Sequence, residues 1–128
     1  MKKLSAFLKN KKGISLAETI VAISLLTIIS IVIMTISVYS VKNEMKNVRN
    51  MEIGNLSENA IECFSYSANE EEFFSLLQKT NADYSLENHV FTLQKQTFTL
   101  KLSLSGDLLQ ISAFDNDNEQ IYSLNYEK

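Results

Sequence analysis

Hydrophobic and polar positions divide the chain into three regimes. Between Thr19 and Val41 no charged residue occurs, and Ile, Leu and Val dominate the 23 positions. About 20 apolar residues suffice for a helix to cross the hydrocarbon core of a bilayer. Neither Pro nor Gly interrupts this stretch. Beyond it, Val41, Met45, Val48, Leu56, Ala60 and Cys63 fall on one arc at about 100° per residue, which predicts a continuing helix with that arc facing a core. Glu52 intrudes on the arc and Gly54 lowers helix propensity, so a bend or loosening is expected there. A helix from Ile14 to Cys63 would be roughly 75 Å long at about 1.5 Å per residue.

Ser67-Ala68-Asn69 ends that period. Asn69 is placed to N-cap a short helix, with Glu70, Glu71 and Glu72 at its positive end and Glu72 in the capping-box position. Phe73, Phe74, Leu76 and Leu77 give the helix an apolar face, and it is expected to end near Lys79 to Asn81. From Val90 the period becomes two. Phe98, Leu100, Leu102 and Leu104 alternate with polar residues, as in a half-buried strand. Val90–Gln94, Leu108–Phe114 and Gln120–Tyr126 supply three more strands, joined by short polar links. The expected fold class is α+β: a long N-terminal helix packed on a small antiparallel meander of about four strands. A head of roughly 60 residues has a small core and would lean on that helix.

Charge sharpens this division. The chain carries 12 Lys plus Arg against 15 Asp plus Glu, and Lys2, Lys3, Lys9, Lys11 and Lys12 precede the apolar run. By the positive-inside rule the N-terminus is cytoplasmic and the bulk lies outside, in a single-pass arrangement. Without those five lysines the remainder holds 7 positive and 15 negative side chains, so direct nucleic-acid binding is not expected. A cleaved secretory signal shares the Lys-rich and apolar pattern, and Val38-Tyr39-Ser40 offers small residues to a peptidase. The apolar run is longer than the usual h-region of about 7–15 residues, which argues against that reading.

The chemistry-bearing residues are few. A single Cys63 permits no internal disulfide, and its place on the apolar arc makes it a buried small hydrophobe. His89 has no nucleophile or acid to serve and reads as a surface or strand-edge residue. Asp115, Asp117 and Glu119 alternate as calcium ligands do, but they lack the Gly and the spacing of an EF-hand loop, and Asp and Asn are ordinary turn formers. No nucleotide loop, catalytic constellation, metal site or cofactor site is expected, and the chain does not read as an enzyme.

Glu18 is the anomaly. The apolar stretch effectively begins at Ile14, so this carboxylate stands one helical turn inside it. At mid-membrane such a group costs roughly 2.5–3.5 kcal/mol, and less near the interface, where it can snorkel. The surrounding residues, Lys11-Lys12-Gly13-Ile14-Ser15-Leu16-Ala17-Glu18 and then the uncharged run, resemble the processing motif of type IV prepilins. That motif usually reads Gly-Phe-Thr-Leu-Ile-Glu followed by about 20 apolar residues. The match holds at Gly13, Leu16 and Glu18 and departs at Ile14 and Ala17, within residues 9 to 41.

The resemblance implies a cleaved leader (1–13), a membrane helix (14–41), its extracytoplasmic continuation (42–66) and a globular head (67–128). It implies cleavage between Gly13 and Ile14 by a prepilin peptidase, methylation of the new amino terminus on Ile14, and pairing of Glu18 with the terminal amine of an adjacent subunit during assembly. The partners it implies are that peptidase, other pilin or pseudopilin subunits, the filament assembly platform protein and the membrane, with the processed chain ending in a cell-surface filament. The short leader, small head and missing disulfide pair look more like a minor pseudopilin than a major pilin. The single Cys63 and short Lys-rich leader would suit a Gram-positive competence or type IV filament system supporting DNA uptake, and type II secretion or a related filament system stays open beside it. The alternative is a single-pass anchored extracytoplasmic binding protein that does not polymerise.

Overall fold

The computed structural model describes the backbone of residues 2–128 and the side chains from residue 15 onward. Seven elements follow one another: α1 (Lys2–Tyr66), α2 (Glu70–Thr80), β1 (Ser85–Glu87), β2 (Val90–Gln94), β3 (Phe98–Ser105), β4 (Leu108–Asp115) and β5 (Gln120–Glu127). The chain is thus α+β, with a long apolar N-terminal helix and an antiparallel sheet in the order β1-β2-β3-β4-β5. It divides into two units, Met1–Glu44 and Met45–Lys128.

The first unit is helix. Its apolar side chains from Leu16 to Val41 are exposed. Hydroxyl side chains within it turn inward on the backbone: Thr19 Oγ1 donates to the Ser15 carbonyl at 2.7 Å, and Ser24, Thr27, Ser30, Thr35 and Ser37 each donate to the carbonyl four residues earlier. In an apolar medium such bonds remove the cost of an unpaired hydroxyl. α1 is the one described helix long and apolar enough to cross a membrane.

The second unit holds the core. Along the last turns of α1 the buried residues are Ile53, Ser57, Ala60, Cys63 and Phe64. This corrects the expected arc at its start, because Val41, Met45 and Val48 are exposed. The inward face is carried from Ile53 to Phe64 by i+3 and i+4 steps. A serine in that face hid it from a hydrophobic count, and Ser57 Oγ spends its donor on the Ile53 carbonyl at 2.7 Å. α1 also remains one uninterrupted helical element through Gly54.

α2 begins as its sequence dictates. Asn69 Oδ1 accepts from the Glu72 backbone N–H at 2.8 Å, and the Glu72 carboxylate reaches back to the Ala68 N–H at 2.8 Å. Phe73 and Leu77 are buried. Phe73 stands edge-on to Phe64 of α1 and to Phe91 of β2, with ring centroids 5.9 and 5.1 Å apart. One aromatic side chain therefore joins α1, α2 and the sheet.

The sheet has five strands rather than four. β1 has no sequence signature, because three residues, Ser85-Leu86-Glu87, are too few to show a period. It pairs with β2 across Asn88 and His89, both at positive φ (50° and 63°), the conformation that a tight two-residue hairpin of type I′ requires. Gly106, at φ 62°, makes the corresponding link between β3 and β4. One face of the sheet is apolar, and the pairs Phe91↔Leu102, Leu93↔Leu100 and Leu102↔Ile111 are all fully buried. In β5 the register shifts opposite Ala113 and Phe114, leaving Ile121 as an extra residue.

Candidate functional site

Glu18 is exposed on α1, and the positions that follow it to Val41 are uncharged. The junction Gly13–Ile14 lies outside the residues whose side chains are described. The candidate assembly site is therefore a carboxylate on the surface of an apolar helix in which six hydroxyls, from Thr19 to Ser37, are bonded to the helix's own backbone. Such a surface offers a partner one charge to recognise.

In the head the other candidates resolve into structural contacts. The alternation of β4 carries Asp115 onto the core face, after Leu109, Ile111 and Ala113. There it meets Arg49 of α1, whose guanidinium lies 3.1 Å from its carboxylate. The backbone N–H of Asp117, then the Arg49 guanidinium, hold the Asp115 carboxyl below its ordinary range, against the opposing effect of burial. Asp115 Oδ1 also accepts from the Asp117 N–H, and Asn116 donates to the Gln96 carbonyl at 3.1 Å. Asp115, Asp117 and Glu119 thus form a braced hairpin turn with Asn118 at φ 60°. Among the described residues no three His, Cys, Asp or Glu side chains converge as metal ligands.

His89 is exposed at the β1–β2 link, with Nδ1 3.0 Å from the Glu70 carboxylate. Glu70, Glu71, Phe74, Leu86, Asn88 and His89 line an open cavity of about 480 Å³. Cys63 is buried, and burial followed by the nearby Glu62 charge pushes its thiol up, away from the reactive thiolate. Tyr84 is buried too, and its phenol is pushed up to about 12, chiefly by burial.

Two contacts have no signature in the sequence. Arg49 and Asp115 are 66 positions apart. Lys128 Nζ donates to the carbonyls of Phe64 and Ser67 and sits 5.5 Å from the Phe64 ring centre. It places a cation at the negative end of α1, where no basic residue of the last turn does so. Comparison of the chain with family models, curated proteins and solved structures finds no match in any of the three.

Proposed function

We propose that the chain is a structural subunit of a type IV pilus-like filament, of the minor pseudopilin kind, cleaved after Gly13 and methylated on Ile14. The observation that carries this reading is Glu18, an exposed carboxylate one turn inside an apolar helix that then runs uncharged to Val41. A carboxylate at that depth gains from a positive partner, because opposite charges attract far more strongly where water is scarce than at a wet surface. The amine freed on Ile14 of a neighbouring copy is such a partner. Each added subunit would then neutralise one carboxylate and one amine together, setting the axial register of the helices. The long helix and small antiparallel head support the reading, as does the lysine-rich leader, which favours a cytoplasmic N-terminus. The prepilin peptidase and the assembly platform protein act on the chain in this scheme, and a competence system for DNA uptake is one that the single Cys63 and the short lysine-rich leader suit.

The test uses a host with a prepilin peptidase and no other copy of the chain. Intact mass should show loss of residues 1–13 and gain of one methyl. Glu18→Ala should insert and be cleaved as the parent is, yet fall at least about tenfold in filaments sheared from cells, the equivalent of about 1.4 kcal/mol of subunit addition. Wild-type amounts of Glu18→Ala in the sheared fraction would refute the role of Glu18. An uncut chain that never leaves the membrane would favour the anchored binding protein instead.

A further inference from the structure

The sheet ends in two unpaired edges, and the edges differ. β5 is eight residues long and β1 three. Exposed edges are commonly blunted by Pro, Lys or a bulge; β5 has no Pro or Lys, and its one bulge, at Ile121, lies at its start and leaves Tyr122–Glu127 in regular register. Among the described residues, no backbone hydrogen bond covers the outer side of β5.

The apolar face is also unfinished at both ends. Leu124 lies opposite Ile111, which is fully buried, yet Leu124 is 37% exposed. Leu86 lies opposite Phe91, fully buried as well, yet is 42% exposed. Both leucines belong to the core face, one at each margin. The open cavity of about 480 Å³ beside Leu86, walled by Phe74, leaves room there for another apolar side chain.

Direction decides how these margins can meet. Arg49 of α1 touches Asp115, just before β5, and farther along α1 Ser65 lies 3.3 Å from the Tyr126 hydroxyl near the end of β5. This stretch of α1 therefore runs the same way as β5. All neighbouring strands are antiparallel, so β1 runs that way too. Two β5 edges joined about a two-fold axis normal to the sheet would be antiparallel and would reverse this stretch of α1 in one copy against the other. A β5 edge joined to a β1 edge keeps this stretch of α1 pointing one way in every copy.

We infer that β5 of one copy pairs in parallel with β1 of the next, Leu124 covering Leu86 and Phe74, so that the heads form a continuous edge-to-edge series. The partner is a second copy of this chain, and the inference rests on the filament reading with its like-directed helices. A head-to-tail contact of this kind is open and extends without closing, and main-chain bonds supply its affinity, as in strand addition generally. On the polar face Ser123 and Asn125 come beside Ser85 and Glu87, with no like charges opposed.

The experiment uses the full chain in cells that shear off filaments, with Leu86→Cys and Leu124→Cys made singly and together. A short bismaleimide is added to the filaments, and the parent chain, whose Cys63 is buried, is the control. The double variant should give a ladder of covalent multimers, at least about tenfold more than either single variant, whose one exposed thiol has no counterpart across the joint. A strong dimer from Leu124→Cys alone would overturn the inference in favour of a two-fold β5 contact. Sheared filaments without a ladder would overturn it and leave the filament reading standing. Absence of sheared filaments from the parent strain would overturn both.

Discussion

Truncating Phe73 to alanine tests whether the head is held together at one aromatic joint. The side chain is fully buried and stands edge-on to Phe64 and Phe91, so its loss opens a cavity bordered by α1, α2 and β2. Phe→Ala in a core costs about 3–5 kcal/mol. Two edge-on aromatic partners favour the upper half of that range, since such pairs contribute about 0.5–1.5 kcal/mol each beyond buried area. The unit from Met45 to Lys128 is expected to have a total stability of about 4–13 kcal/mol, at about 0.05–0.15 kcal/mol per residue. The substitution therefore removes a large share of it. At about 4–8 °C per kcal/mol for a domain of this size, Tm should fall by roughly 16–40 °C. The assay is near-ultraviolet circular dichroism of the full chain in detergent micelles, with far-ultraviolet ellipticity recorded in parallel. Tertiary signal should melt early while much of the helical signal persists, since α1 contributes most of the helix and its apolar stretch is held by the micelle. A fall in Tm below about 5 °C, a loss of about 1 kcal/mol, would refute the claim that Phe73 fastens α2 to both neighbours.

Gly54→Ala should stabilise the head by about 0.5–1 kcal/mol, because the glycine is exposed within an unbroken helix and an added Cβ meets nothing within 4 Å; chemical denaturation of the full chain measures it, and destabilisation would show that the glycine serves a packing purpose. Tyr84 predicts an alkaline weakness: its phenol is pushed up to about 12 in the fold against about 10 when unfolded. The stability linked to it is complete below about pH 10 and is lost as pH rises through about 12, up to about 3 kcal/mol at about 1.4 kcal/mol per pH unit. Urea midpoints at successive alkaline pH values should fall more steeply for the parent than for Tyr84→Phe, and parallel curves would refute the assignment.

What the sequence reveals here is what neighbouring residues decide among themselves. The start of α2 is legible because Asn69 and Glu72 satisfy backbone groups within four positions. β3 and β4 are legible because alternation over eight residues is hard to imitate. The inward face of α1 is only half legible: Ala60 and Cys63 fall where the arc puts them, but Met45 and Val48 share that arc and remain exposed. Periodicity locates an apolar face and does not say where the sheet that covers it begins. Asp115 shows the same limit. Its neighbours identify a turn, whereas its partner Arg49 is supplied by the topology of the whole head. Of the proposed assembly site, the sequence shows the carboxylate and its spacing, because both are local. The amine proposed as its partner would lie in another molecule, beyond the reach of any pattern within one chain.

If the chain assembles as proposed, the inward-bonded hydroxyls of α1 bear on how copies would find their place. Each of the six hydroxyl residues from Thr19 to Ser37 has given its hydrogen to its own helix. Polar side chains ordinarily pin membrane helices together by bonding across the contact, and here those donors are spent before any neighbour arrives. Two such helices laid side by side resemble greased rods, whose energy changes little as one slides along the other by a turn. A single acidic notch near one end then acts as a detent on an otherwise smooth shaft. On the proposed filament reading, that slippery surface would let a subunit move until the notch met a neighbour's amine, leaving the heads to settle their own contact afterwards.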